Sequence, residues 1–275
     1  MARQFSRKIM SFRRECLAYK ILQPFAGKVV PKCFASFSNR DGSDGLLWLQ
    51  EISPARTGDQ IAGLSRKELA SAARSIGCIH ARLWRARPLA KAPRLPVHHY
   101  NLAHETRIHL PKFRQLGPSL LSSSDRRISR RIPAVIDHAL QYAKRRPVTL
   151  LHGDLRADNL LFSEGRVFIV DWQIAAWGLG SFDLARMIGG STRHPLSLPE
   201  QKQLVRIWHQ TLQRGGVRPY TLEEAWQDYR IGVALTLSIP VTNGPTLARL
   251  SPRGKKIARR MICRFFRNGR EFGLL

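Results

Sequence analysis

Apolar residues fall at helical spacing from Phe12 to Leu22 and stop before Pro24, which predicts a first helix. After a turn containing Gly27, Val29 to Phe37 reads as a strand and Leu46 to Ile52 as its partner. The Asn39–Gly45 segment between them has the polar, glycine-containing composition of a hairpin loop. Pro54 to Gly63 is a loop, and Ser65 with Glu68 three residues on forms a capping box. In the helix that follows, Leu69, Ala73, Ile76, His80 and Leu83 make one apolar stripe, so His80 is expected to be a core histidine.

Pro88 to Pro96 interrupts the pattern, and residues 100–145 read as helices broken at Pro111, Pro118 and Pro133. A short apolar strand, Val148 to Leu151, leads into a polar loop and two further strands, Leu160–Phe162 and Val167–Val170. Helices resume around Asp183–Ile188, Leu198–Arg214, Leu222–Ile239 and Ile257–Phe272. A small β island inside a mostly helical chain predicts an α+β fold. The longest uncharged apolar run, Ile231 to Ala248, contains Pro240, Asn243, Gly244 and Pro245, so no transmembrane segment is expected.

Composition narrows the class. The chain has 275 residues, 43% of them hydrophobic, which is enough for a real core and excludes intrinsic disorder. Cys16, Cys33, Cys78 and Cys263 are scattered, so neither a disulfide framework nor a zinc site is indicated, and a cytoplasmic location is expected. The first 14 residues hold five basic residues and no acid, yet Phe5, Ile9, Phe12 and Cys16 continue at helical spacing, so a presequence is not expected.

The net charge of +27 points to an anionic partner of some kind. Its distribution matters more. From Leu150 to Glu200 four arginines face six acids, a net of −2, which leaves +29 for the rest of the chain. The acidic window is where chemistry is expected.

That window contains His152-Gly153-Asp154, then Arg156, Asn159 and, at the end of the next strand, Asp171-Trp172. Oxygen donors converging from adjacent strand ends suit a hard cation that also binds substrate phosphates. A carboxylate at the start of such a loop can accept a proton from an attacking hydroxyl, and an arginine two residues later can meet a phosphoryl group.

The run His152-Gly-Asp154-x4-Asn159, then Asp171-Trp172-Gln173, then Gly178-x-Gly180-x-x-Asp183-Leu184-Ala185 resembles the aminoglycoside/choline phosphotransferase superfamily. More closely it resembles the ecdysteroid kinase-like branch. Arg14-Glu15-x3-Tyr19, Leu49-Gln50-Glu51-Ile52-Ser53, Gly58-Asp59-Gln60-x2-Gly63 and Ile79-His80-Ala81-x2-Trp84 extend the likeness. The resemblance implies a two-lobed protein-kinase-like fold, with a small N-lobe over residues 1–52 and a mainly helical C-lobe over 53–275. It implies an ATP- and magnesium-dependent transfer of phosphate to a small-molecule hydroxyl. Asp154 would be the catalytic base and Arg156 a contact to the transferred phosphoryl. Asn159 and Asp171 would hold Mg2+, while Glu15, Gln50, Glu51 and Ile52 would line the nucleotide site. His152 would be architectural and Asp183 an anchor of the catalytic loop, although a simple helix N-cap fits Asp183 nearly as well.

The chain departs from the family at its start. Only 14 residues precede Glu15, too few for a glycine-rich hairpin and a lysine-bearing strand, and Lys8 is the only upstream lysine. The expectation is a truncated N-lobe, from a misplaced start or a product lacking the roof over ATP. The alternative function is a pseudokinase or ligand-binding remnant without turnover. Gln50-Glu51 also replaces the usual hinge Glu-Asp pair.

Two other features are weighed and set lower. His98, His99, His104 and His109 are spaced so that a helix would scatter them, so no metal site is expected there. Arg249–Arg270 has nine basic residues and no acid, interleaved with Ile257, Met261, Ile262, Phe265 and Phe266. Packing of its apolar face on the helical lobe is favoured, with weak binding to an anionic surface as the alternative. No nucleic-acid partner is expected, since nothing aromatic or groove-fitting accompanies the charge.

Overall fold

A computed structural model describes residues 10–85, 95–98 and 102–275. Phe5, Lys8, Ile9 and His99, and most of the Pro88–Pro96 break, lie outside the described residues.

Helix α1 (Ser11–Ile21) buries Cys16, Ala18 and Tyr19 and packs against an antiparallel hairpin of β1 (Cys33–Ser38) and β2 (Gly45–Leu49). Both strands are shorter than the apolar pattern suggests, because Val29 and Val30 belong to the preceding turn and residues 50–55 form no strand. Phe37 sits opposite Leu46 and Ala35 opposite Trp48. Phe34, Phe37, Leu46 and Trp48 remain 60–67% exposed.

Strand β3 (Arg56–Thr57), not apparent in the sequence, pairs with β5 (Leu160–Ser163) and so extends the hairpin formed with β6 (Arg166–Ile169). Its register sets Arg56 opposite Phe162, so the loop after residue 50 is tied to the strands that carry the chemistry. Strand β4 (Thr149–Leu151) pairs antiparallel with β7 (Ala176–Gly178), a strand the apolar pattern does not indicate.

The remaining mass is helical. Helix α2 (Arg66–Arg82) begins at the Ser65–Glu68 capping box and buries the expected stripe. Helices α3 (Leu102–Arg114), α4 (Ser123–Ile128) and α5 (Ile132–Ala143) follow. Pro111 lies inside α3 rather than ending it, and Pro133 sits in the first turn of α5, where its missing N–H costs nothing. Helices α6 (Ser181–Ser191), α7 (Leu198–Arg214), α8 (Leu222–Thr236), α9 (Ser238–Leu250) and α10 (Pro252–Glu271) complete the chain. Capping boxes recur at Ser197–Glu200 and Thr221–Glu224.

Helix α2 packs on α7, α6 on α8, and α10 on α9. Trp172, Trp208, Tyr229, Phe182, Phe265 and Phe266 are fully buried, each contributing on the order of 2 kcal/mol of apolar transfer. The apolar face of α10, with Ala258, Met261, Ile262, Phe265 and Phe266, belongs to this core, and Phe113 stacks on Phe266. A surface-inserting role for that face is thereby removed. Among the described residues one helical run, Leu222–Leu250, is apolar and long enough to cross a membrane, but 72% of its most apolar window is buried in the protein.

Candidate active site

The polar loop after β4 is built on backbone that few residues can supply. Gly153 has φ +83°, and a Cβ there would lie 2.8 Å from the Ile174 carbonyl oxygen. Across from it Gly58 passes so close to the loop that a Cβ would meet the Ala157 carbonyl at 2.3 Å. These close approaches draw the post-hinge segment onto the catalytic loop.

Asp183 clamps the loop from beneath. It lies in the first turn of α6, whose N-cap is Gly180, so it is not the cap of its own helix. Its fully buried carboxylate accepts hydrogen bonds from the His152 N–H at 2.7 Å and the Gly153 N–H at 2.9 Å. His80 Nε2 lies 3.4 Å from it, while His80 Nδ1 accepts from Trp208 Nε1 at 3.1 Å, as befits a satisfied core histidine. Burial would raise the Asp183 pKa, but its partners, His80 foremost, hold the carboxyl below its ordinary range.

His152 ties two strand ends together. Its Nδ1 accepts from the Asp154 N–H at 3.1 Å, which leaves Nε2 to donate to the Val170 carbonyl at 2.9 Å. Both ring nitrogens are used in architecture.

Asp154 presents a carboxylate held by two guanidiniums. Its Oδ1 accepts from Arg186 Nη2 at 2.7 Å and Nε at 3.2 Å, and its Oδ2 accepts from Arg156 Nε at 3.0 Å. Burial pushes the Asp154 pKa up, but Arg186 and then Arg156 outweigh it, so the carboxyl stays below the usual range. Arg156 also donates to Gln60 Oε1 at 2.9 Å and forms an ion pair with Asp158, which in turn accepts from the Gln60 N–H. Arg156 is therefore spent on the loop and on Asp154 in this state, and Asp158 stabilises the loop.

Asn159 and Asp171 come together because β5 and β6 are a hairpin. Leu160 faces Ile169, and the Val170 N–H donates to the Asn159 carbonyl at 3.0 Å. Asn159 Nδ2 donates to the Asp154 carbonyl at 2.9 Å, and among the described residues its amide oxygen accepts no hydrogen bond. Asp171 adopts φ 67°, a left-handed conformation costing roughly 1 kcal/mol outside glycine. Burial raises its pKa, and Asp154 adds to the rise while His152 and Arg156 oppose it. Asp171 Oδ2 accepts from Gln173 Nε2 at 3.3 Å, and an amide oxygen and a carboxylate on adjoining strand ends are donors that fit a hard divalent cation. Among the described residues no cluster of three or more His, Cys, Asp or Glu side chains could hold a metal by itself, so oxygens from a ligand would complete the shell. His109 Nδ1 hydrogen-bonds the Glu105 carbonyl within its own helix, and His98 packs on Phe182.

Glu15 of α1 reaches the same place, accepting from the Trp172 N–H at 3.1 Å. Among the described residues it has no cationic partner, and burial followed by Asp171 pushes its pKa up to about 7. Gln50 is pinned between backbone groups, its N–H donating to the Lys32 carbonyl at 2.8 Å and its Oε1 accepting from the Lys32 N–H at 3.3 Å. Glu51 is exposed and Ile52 half-buried in the connecting segment.

Arg186 has no role in the sequence-based expectations, and Gln60 enters them only within the Gly58-Asp59-Gln60-x2-Gly63 likeness. A signal for Arg186 was present: it is the one cation in Ser181–Ser191, a run otherwise of small and apolar residues with one acid, and a buried cation requires an anion. For Gln60 the motif was visible but its partners were not, since Arg156 and Asp158 lie almost 100 residues away.

Comparison with known proteins places this geometry. The profile of a family described as "Phosphotransferase enzyme family" matches residues 4–220. No curated protein sequence matches the chain significantly. Among solved structures, a choline/ethanolamine kinase family protein from Mesorhizobium loti superposes with a TM-score of 0.63 at 16% identity, covering 96% of this chain and 83% of its own. A choline kinase from Streptococcus pneumoniae gives 0.58 at 12% identity, covering 96% and 81%. An amicoumacin kinase in complex with AMP-PNP, Ca2+ and Ami gives 0.58 at 12% identity, covering 94% and 78%. At such identities the likeness shows the α+β, protein-kinase-like fold alone. The family profile, spanning most of the sequence and the whole constellation around Asp154, Asn159 and Asp171, makes this chain a member of the phosphotransferase enzyme family.

Proposed function

We propose that the protein is a kinase of a small-molecule hydroxyl, using ATP with Mg2+ and belonging to the ecdysteroid kinase-like branch. The observation that carries this reading is the convergence of Asp154, Asn159 and Asp171 on a loop that Asp183 fixes through two backbone amides. Asn159 and Asp171 would hold the metal, which when bound neutralises charge on the nucleotide phosphates. Asp154 would orient the acceptor hydroxyl and take its proton. Its depressed pKa suits an orienting acceptor better than a strong base, which is sufficient where the transition state is loose. For acceptor and nucleotide to enter, Arg156 would exchange Asp154 for a phosphoryl oxygen. Glu15, Gln50, Glu51 and Ile52 would border the nucleotide, with residues 1–52 acting as an N-lobe over the 53–275 C-lobe. A cytoplasmic location is part of the same proposal.

One observation favours a second reading, a pseudokinase or ligand-binding remnant without turnover: Glu15 has no cation to pair with among the described residues. The test is ATP-dependent phosphorylation by wild type and by Asp154→Asn, together with thermal shift in ATP and Mg2+. Transfer that is abolished by the substitution supports the kinase, and activity unchanged in the variant overturns it. Nucleotide at about 100 times its Kd should stabilise by roughly 2.7 kcal/mol. No stabilisation at millimolar nucleotide would favour the remnant.

A further inference from the structure

A cavity of 720 Å³ lies between α10 and the segment that runs from the end of α6 to the start of α7. Its size suits a small molecule. Helix α10 contributes Lys256, Arg259, Arg260, Arg264 and Arg267, and Arg193 closes another side, against a single acid, Glu271. Lys256, Arg260, Arg264, Arg267 and Glu271 follow 4,4,3,4 spacing, which is one face of a helix. The opposite face of α10 is locked into the core, so this stripe is held toward the cavity.

The charges are not neutralised from within. Among the described residues the five α10 cations form no ion pair, and Arg193 has only Glu68 at 4.0 Å. Arg264 is half-buried and donates to the carbonyls of Gln60, Ile61 and Gly190 at 2.6, 3.3 and 2.9 Å. None of those acceptors carries a charge, and burial with Arg260 nearby brings its pKa down to about 10.

None of Asp154, Arg156, Asn159 and Asp171 lines the cavity, but two segments connect it with them. Ile188 and Gly189 line it and lie less than one turn of α6 beyond Arg186, which grips Asp154. Gln60, whose carbonyl holds Arg264, binds Arg156 through its side chain.

From the clustered cations, the unpaired stripe and these connecting segments, we infer that the phosphate acceptor is itself an anion, a hydroxyl compound whose phosphate or carboxylate is seated on α10 while its hydroxyl reaches Asp154. This rests on the kinase reading above and specifies its substrate class. Arginine forks match the paired oxygens of phosphate or carboxylate, while six cations to one acid disfavour amino-alcohol acceptors such as choline. The acceptor's hydroxyl oxygen forms the new bond to the γ-phosphorus, and its proton passes to Asp154. The bond from that phosphorus to the bridging oxygen breaks, and its electrons leave with ADP.

Binding and turnover are measured separately on the full chain, using glycerol 3-phosphate, glycerate and choline as probes. Calorimetry without nucleotide should show an anionic probe binding and choline not, with affinity falling tenfold or more in Arg260→Ser/Arg267→Ser. Both positions are exposed, so the variant keeps its fold, checked by its melting curve. With ATP and Mg2+ the same variant should raise KM for the anion with kcat little changed. Preference for glycerol 3-phosphate over glycerate identifies a phosphate-bearing acceptor, and the reverse a carboxylate. Choline turned over in preference to both anions overturns the inference while leaving the kinase reading intact. Neither anion binding at 10 mM, or equal binding by wild type and variant, also overturns it. Anion binding lost in the variant, with no ADP release from any probe, retains the anion site and sinks the kinase reading.

Discussion

Removing the carboxylate of Asp154 should destabilise this protein, which is unusual for a site residue. The reason is Arg186, only 4% exposed, whose Nε and Nη2 both bond Asp154 Oδ1 while its Nη1 has no partner. In Asp154→Ala the guanidinium loses every acceptor it has among the described residues. Stranding one member of a buried ion pair costs about 3–5 kcal/mol. For a chain of this size that corresponds to a fall in Tm of roughly 10 °C. Asp154→Asn keeps an oxygen facing Arg186 and should lose about half as much, so it is the better variant for activity. Asp154→Ala/Arg186→Met leaves no buried charge and should recover most of the loss, giving a coupling of about 2 kcal/mol or more. Urea melts at pH 7.5 with an unchanged m-value read this directly. An Asp154→Ala chain within 1 kcal/mol of wild type, or additive single and double variants, would refute the argument. Because its partners lower the Asp154 pKa, its contribution is present above the unfolded value near 3.8 and is lost as pH falls through the lower folded value.

Asp183→Ala strands the buried His152 and Gly153 amides, which should cost about 2–5 kcal/mol. Hydrogen exchange should accelerate at those two amides before it does in the helical lobe, and unchanged protection there would count against the clamp. Glu15→Gln tests the buried carboxyl on α1. With a folded pKa of about 7 against an unfolded 4.5, the wild-type group costs nothing below pH 4.5. Its penalty grows as pH rises between those values and is complete above 7, at most about 3 kcal/mol. The variant should therefore gain stability over wild type at pH 8 and little at pH 5. An equal difference at both pH values would refute the assignment.

The secondary elements were legible where local physics decides them. The α2 capping box, the apolar stripe through His80 and the β5–β6 hairpin all follow from periodicity and polar punctuation. The missed strands, β3 and β7, are two and three residues long, and their existence depends on partners roughly 100 and 30 residues away. Pro111 was misread as a break because its penalty is local, whereas the packing of α3 on α9 that outweighs it is not.

By itself, the sequence determined that a carboxylate, an amide and a second carboxylate would meet at adjoining strand ends, because residue type and spacing suffice for that. It also located the acidic window within a chain of net charge +27. Only the tertiary structure decided what each charge faces. It turned Arg156 back onto Asp154 and buried Arg186 against the same carboxylate. It also set the α10 stripe along one wall of a cavity. Ion pairing depends on distances between residues far apart in the chain, and periodicity along a single element carries no information about them.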